Sequence, residues 1–232
     1  MTIVLILGSG PSVIAARDWS RAPFDRIVAI NNAWAVRPDW DDLIHPSDFP
    51  QDRMPLETSP SQRIVTADDY VPVQNAFGGF VYAGGTMAFT AGYWALGALR
   101  PSVMAFVGCD LVYPASGATH FYGRGTADPL RPDVTLRSLP AKSARLQVVA
   151  AQAGCACVNL SPAESRLVFP RATPQDLSVV IPAPFDARRA QLAVAEEARL
   201  NYRVPSGKYW KEEDRFDPAA IDALDALWLS AV

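Results

Sequence analysis

Residues 4–12 read Val4-Leu5-Ile6-Leu7-Gly8-Ser9-Gly10-Pro11-Ser12. An apolar, β-type run stops at two glycines, and Pro11 and Ser12 then carry the marks of a helix's first turn. A strand, a glycine turn and a helix N-terminus aim backbone N–H groups and the positive end of a helix dipole at one point. Such a point suits an anion, most commonly a phosphate. Strand followed by helix is also the opening unit of an α/β chain.

Working outward, five more segments read as strands: Arg26–Ile30, Leu43–Ile44 with its neighbours, Arg63–Ala67, Val103–Val107 and Ala156–Leu160. With Ile3–Leu7 they make six, mostly short apolar runs without strict alternation, as expected of strands buried on both faces of a parallel sheet. Helical patterns lie between them at Ser12–Ser20, Thr86–Leu99 and Ala141–Ala153. The expected fold is α/β: a Rossmann-like, doubly wound, mostly parallel sheet with helices on both faces and a helical C-terminal extension. The catalytic, nucleotide-binding domain is expected over 1–173. Residues 174–232 are read as a Pro-rich connector and helical extension, packed on the same domain or on a partner subunit. Within it, 186–201 has a helix pattern, and Asp217-Pro218 opens a last helix that aligns Ile221, Leu224, Leu227 and Trp228.

The chain has 232 residues, half of them hydrophobic, so a sizeable core is within reach. A formal net charge of −3 argues against a general nucleic-acid or anionic-membrane binder. No basic region followed by a long apolar run marks a signal peptide. The apolar stretch 84–99 is short and rich in small residues, so no stable membrane span is expected and the cytoplasm is the default location. Cys109, Cys155 and Cys157 are three in number and lack a partner pair for a metal, so they read as buried structural thiols.

In such a sheet ligands bind beyond the carboxyl ends of the strands, so the loops at 8–12, 31–34, 45–49 and 108–125 carry the functional weight. In the first loop, Gly8, Ser9, Gly10, Pro11 and Ser12 are nucleotide-binding candidates. A dinucleotide fingerprint would need glycine where Val13 stands, and an acid where Asn31 and Asn32 stand. The Lys of a P-loop is also missing. Asn31 and Asn32 instead offer amides to a base, ribose or sugar. His45, Ser47 and Asp48, after the third strand, are substrate-contact candidates. Gly84, Gly85 and Thr86 precede the helix at 86–99 and offer a second turn with N–H groups for a nucleotide. The richest loop runs from Gly108 and Asp110 through Tyr113 to His120 and Tyr122, gathering an acid, an imidazole and two phenols. His120 suits a general base, Tyr113 or Tyr122 a donor to a departing phosphate, and Asp110 a ligand to Mg²⁺ or an orienter of His120. Each of these residues also has a plain structural use as a turn former, a cap or a packed ring.

Taken in order, the Gly8–Ser12 loop, Asn31, Gly84-Gly85-Thr86, Gly108-Cys109-Asp110-Leu111, Thr119-His120 and Val158-Asn159-Leu160-Ser161 resemble the motifs of the MptE-like proteins. Archaeal members of that group are 6-hydroxymethyl-dihydropterin pyrophosphokinases. The series also resembles the bacterial sialyltransferases that use CMP-sialic acid. The likeness spans about residues 1–170 and rests on short motifs in a shared order. It implies that Gly8, Gly10, Pro11 and Ser12 form the nucleotide-phosphate loop, that Asn31 contacts the nucleotide or donor, and that Gly85 and Thr86 make a second nucleotide turn. It also implies that Asp110 and His120 are the Asp-Leu and Thr-His pair, with Tyr113 and Tyr122 assisting the departing phosphate. The sialyltransferases place their catalytic histidine further downstream, and this chain has no histidine after His120.

Three functions follow as expectations. The first is a glycosyltransferase-like enzyme using a nucleotide-activated, CMP-linked sugar, with His120, Asp110, Tyr113 and Tyr122 as its catalytic set. It has no tightly bound cofactor and no metal. The second is a diphosphate transfer to a hydroxymethylpterin-like alcohol, needing Mg²⁺ on Asp110 and Asp48. The third is a nucleotide-binding protein without catalysis. The expected partner is a nucleotide-containing small molecule, with a homodimer through the C-terminal helices as one use of the tail.

Overall fold

A computed structural model describes residues 1–113, 117–124 and 132–232. Its centre is a six-stranded sheet in the order β4-β3-β2-β1-β5-β6, with every pairing parallel. The strands are β1 Ile3–Leu7, β2 Arg26–Ile30, β3 Asp42–Ile44, β4 Arg63–Val65, β5 Val103–Val107 and β6 Ala156–Asn159. All six expected strands are present. β4 stops at Val65 because Thr66 caps a helix, α1 (Ala67–Ala76), through a capping box with Asp69.

Alternation along the strands divides the core into two layers. Val4, Ile6, Val28, Ile30, Met104, Phe106 and Cys157 face one cluster. Ile3, Leu5, Leu7, Ile27, Ala29, Val103, Ala105 and Val158 face the other. The first face is covered by α1, the single turn α2 (Phe80–Ala83), α3 (Met87–Trp94) and α4 (Leu139–Gln152). The last turn after α3, Ala95–Leu99, widens to a π-helix. Gly92 lets α3 sit close to its neighbours, since a Cβ there would lie 2.7 Å from Leu146 Cδ2. The second face carries thinner cover. The helix expected at 12–20 is a 3-10 helix over Pro11–Arg17, and Asn31–Val36 is another. Leu177, from the proline-rich connector, completes that layer.

The C-terminal helices α5 (Ala187–Leu200) and α6 (Pro218–Leu229) form an outer layer on α4 of the same chain. Ile221, Leu224 and Trp228 are fully buried there, together with Ala190, Ala193 and Val148. Two buried ion pairs fasten the layer. Arg145 reaches Glu197 with a bidentate pair at 2.6 and 2.8 Å, and Lys142 Nζ lies 2.8 Å from Asp225. The apolar side of α6 is therefore used within the chain. Among the described residues no helix is long and apolar enough to cross a membrane.

Candidate functional site

The strand order reverses beside β1: its neighbours are β2 on one side and β5 on the other. The loops leaving β1 and β5 therefore meet at the topological switch point, where open α/β sheets hold their ligands. Here they meet backbone to backbone. Gly8 N–H donates to Val107 O and Gly10 N–H to Gly108 O, each at 2.8 Å. A Cβ on Gly8 would lie 2.2 Å from Gly108 O, so only glycine allows this approach. Two N–H groups expected to face a phosphate are thus committed to β5. Those of Ser9 and Ser12 are not used this way.

The Ser12 side chain is equally occupied. Its hydroxyl donates to Asp110 Oδ2 at 2.7 Å and accepts from Gly108 N–H at 3.2 Å. Ser161, beyond β6, donates to the same Asp110 oxygen at 2.9 Å. Asn159 orders that side: its Oδ1 accepts from Ser161 N–H and its Nδ2 donates to Ser165 Oγ. Asp110 is 8% exposed, and its other oxygen, Oδ1, is buried without a hydrogen-bond partner. Ser161 and Asn159 are members of this cluster that the sequence reading did not place in the site. Their place in the Val158-Asn159-Leu160-Ser161 motif, at the carboxyl end of β6, was the available signal.

On the β2 side, Asn31 adopts a left-handed conformation (φ 53°), and its Oδ1 is likewise buried and unpartnered. Ser9 Oγ donates to Ile30 O at 3.3 Å, tying the first loop to this strand end.

The loop after β5 crosses the carboxyl end of the sheet from one face to the other. Tyr113 packs on the first core layer and Phe121 on the second. Residues 114–116 and 125 of the expected 108–125 loop lie outside the described residues. His120 and Gly123 exchange two backbone hydrogen bonds, and Phe121 N–H donates to Ser9 O at 2.9 Å, which docks this hairpin on the β1 loop. The His120 ring stacks on Tyr122 at 5.0 Å, with Tyr113 6.5 Å away. His120 Nδ1 lies 2.8 Å from Thr119 Oγ1. Burial holds the His120 pKa below its usual value. Burial, helped by Cys109 and Tyr122, pushes the Tyr113 phenol far up, against the opposing pull of Arg166.

The remaining candidates lie apart. Thr86 caps α3, accepting from Phe89 N–H at 3.3 Å. A Cβ on Gly85 would meet Thr135 Oγ1 at 2.4 Å and Tyr209 Oη at 2.6 Å, so the C-terminal segment covers the Gly84-Gly85 turn. His45 is buried against Phe49, with Nδ1 2.9 Å from Pro46 O, whereas Ser47 and Asp48 are exposed. β3 and β5 are three places apart in the sheet, roughly 14 Å at strand spacing. Among the described residues no three His, Cys, Asp or Glu side chains gather as a metal would require. Two cavities lie elsewhere. One, of about 380 Å³, is bordered by Trp34, Arg37, Trp40 and Gln62; the other, of about 360 Å³, by Phe77, Leu96 and Arg100. Neither borders the switch point.

No family model, curated protein or solved structure matches this chain.

Proposed function

We propose that the carboxyl ends of β1 and β5 hold a nucleotide-activated sugar and that the chain is a glycosyltransferase-like enzyme. The observation that carries this reading is the docking of the His120–Gly123 hairpin on Ser9. It brings an imidazole and a phenol to the switch point of a parallel sheet.

In this reaction the acceptor hydroxyl loses its proton to His120 as its oxygen attacks the anomeric carbon. The bond from that carbon to the nucleotide phosphate breaks, and its electron pair leaves on the phosphate. A depressed pKa keeps His120 neutral near pH 7, as a base must be. In the tautomer that donates Nδ1–H to Thr119, the lone pair lies on Nε2. Tyr113 stays protonated, so its hydroxyl can donate to the departing phosphate.

The test is turnover of a panel of sugar nucleotides, CMP-linked ones included, in the presence of EDTA. His120→Ala should lower turnover by roughly 10²–10⁴-fold. Unchanged turnover in that variant, or no turnover of any sugar nucleotide by the native protein, would overturn the proposal.

A further inference from the structure

Resting on that reading, we infer that the nucleoside half of the ligand lies across the carboxyl ends of β2, β1 and β5. Its ribose hydroxyls donate to Asp110 and its base reaches toward Asn31, while the phosphate lies by the loop that carries Tyr113 and His120. Sequence reading put the phosphate on the Gly8–Ser12 turn; the bonding there points the other way. Gly8 N–H, Gly10 N–H and the Ser12 hydroxyl already have protein partners. Among side-chain atoms, what these strand ends leave unsatisfied is two acceptors, Asp110 Oδ1 and Asn31 Oδ1, both buried and without a donor. A carboxylate oxygen in that position repels a phosphate and attracts a hydroxyl. Leaving it unpaired is costly, so a donor brought by a ligand gains more there than at a solvated site.

The strand order suits a ligand of nucleoside length. Asp110 follows β5 and Asn31 follows β2, with only β1 between them. Two strand spacings are about 10 Å, close to the length of a nucleoside and beyond the span of a vicinal diol alone. The direction is set by charge. Arg166 is exposed and its backbone N–H donates to Asp110 O at 2.9 Å, so a cation lies at the surface on the Asp110 side. Phosphate at the rim, ribose at Asp110 and base toward Asn31 is the order in which a nucleotide presents those groups. Ser12 and Ser161 then act as positioning residues, since both hold Asp110 by Oδ2 and leave Oδ1 to the ligand.

The experiment is calorimetry with the four ribonucleoside 5′-monophosphates and their 2′,3′-dideoxy counterparts, on the native protein and on Asp110→Asn. The best ribonucleotide should lose roughly 10–100-fold in affinity when its hydroxyls are removed. In Asp110→Asn the same removal should cost only a few-fold. Equal affinity of the ribo and dideoxy forms for the native protein would overturn the inference and leave the nucleotide reading standing. Binding of neither form would remove both. Should Asp110→Asn fail to fold by circular dichroism, the ligand pair on the native protein decides alone.

Discussion

Gly8→Ala is the most direct probe of how the candidate site is built. The added Cβ would lie 2.2 Å from Gly108 O and 2.6 Å from Cys109 Sγ. Carbon–oxygen contact needs roughly 1 Å more, so the ends of β1 and β5 must part. Parting breaks the 2.8 Å bonds from Gly8 N to Val107 O and from Gly10 N to Gly108 O. Two backbone bonds at about 1 kcal/mol each, with about 1–3 kcal/mol for forcing volume into a packed place, give a loss of about 3–5 kcal/mol. That is a large fraction of the ~5–15 kcal/mol that holds a typical domain. Gly117→Ala is the control: its φ is 92° but nothing lies within 4 Å of its Cβ, so the cost is the left-handed penalty alone, about 1–2 kcal/mol. Urea unfolding, at unchanged denaturant slope, should separate the two variants clearly. If Gly8→Ala costs no more than Gly117→Ala, the two loops do not meet as described.

Glu197→Ala strands a buried Arg145 and removes the acceptor of Trp228 Nε1. Urea titration should show a loss of about 3–5 kcal/mol. Replacing the Lys142–Asp225 pair together, as Lys142→Met with Asp225→Leu, should be neutral or stabilising by about 1–4 kcal/mol, whereas Lys142→Met alone should destabilise. The His120 pKa is lowered in the folded protein, so the unfolded chain binds the proton more readily. The stability His120 contributes is therefore complete above about pH 6.5 and is lost as pH falls through the lower folded value. The stability difference between native protein and His120→Asn, measured against pH, should be flat above that point and fall below it. All three thiols are buried, and burial raises Cys155 to about 12 and pushes Cys109 and Cys157 well above the usual thiol value. A thiol reagent at pH 8 should leave the folded protein unmodified and react with three groups in urea; rapid reaction of any one in the native state would contradict their placement.

The sheet was legible because each strand is a local apolar run, and burial on both faces demands nothing subtler. Helix α1 was not. Its Pro72 and its acidic first turn, Asp68 and Asp69, blur the apolar pattern. The Thr66–Asp69 capping box was the signal available. Reading Ser12–Ser20 as an ordinary helix failed for a different reason: local sequence marks a helix start, but not whether the backbone tightens to the 3-10 geometry found over Pro11–Arg17.

The site divides along the same line. Which loops gather could be read from the strand pattern, because the switch point follows from topology. What each polar group does there could not. Ser12 looks like a phosphate donor in its own sequence, and only its partner, 98 residues away, reassigns it. The same long-range bond changes what the opening Gly-Ser-Gly-Pro-Ser turn offers. A turn with the Gly8 and Gly10 N–H groups and the Ser12 hydroxyl bonded inward, and with a carboxylate as neighbour, offers an acceptor to hydroxyls. On the proposed reading, recognition of phosphate falls to Tyr113 and His120, beside which the leaving group departs. In the proposed pose, with the nucleoside deep and the phosphate outward, the scissile bond lies beside the His120 imidazole. On this arrangement removing the ribose hydroxyls weakens binding, whereas removing the imidazole slows the reaction of a ligand that still binds.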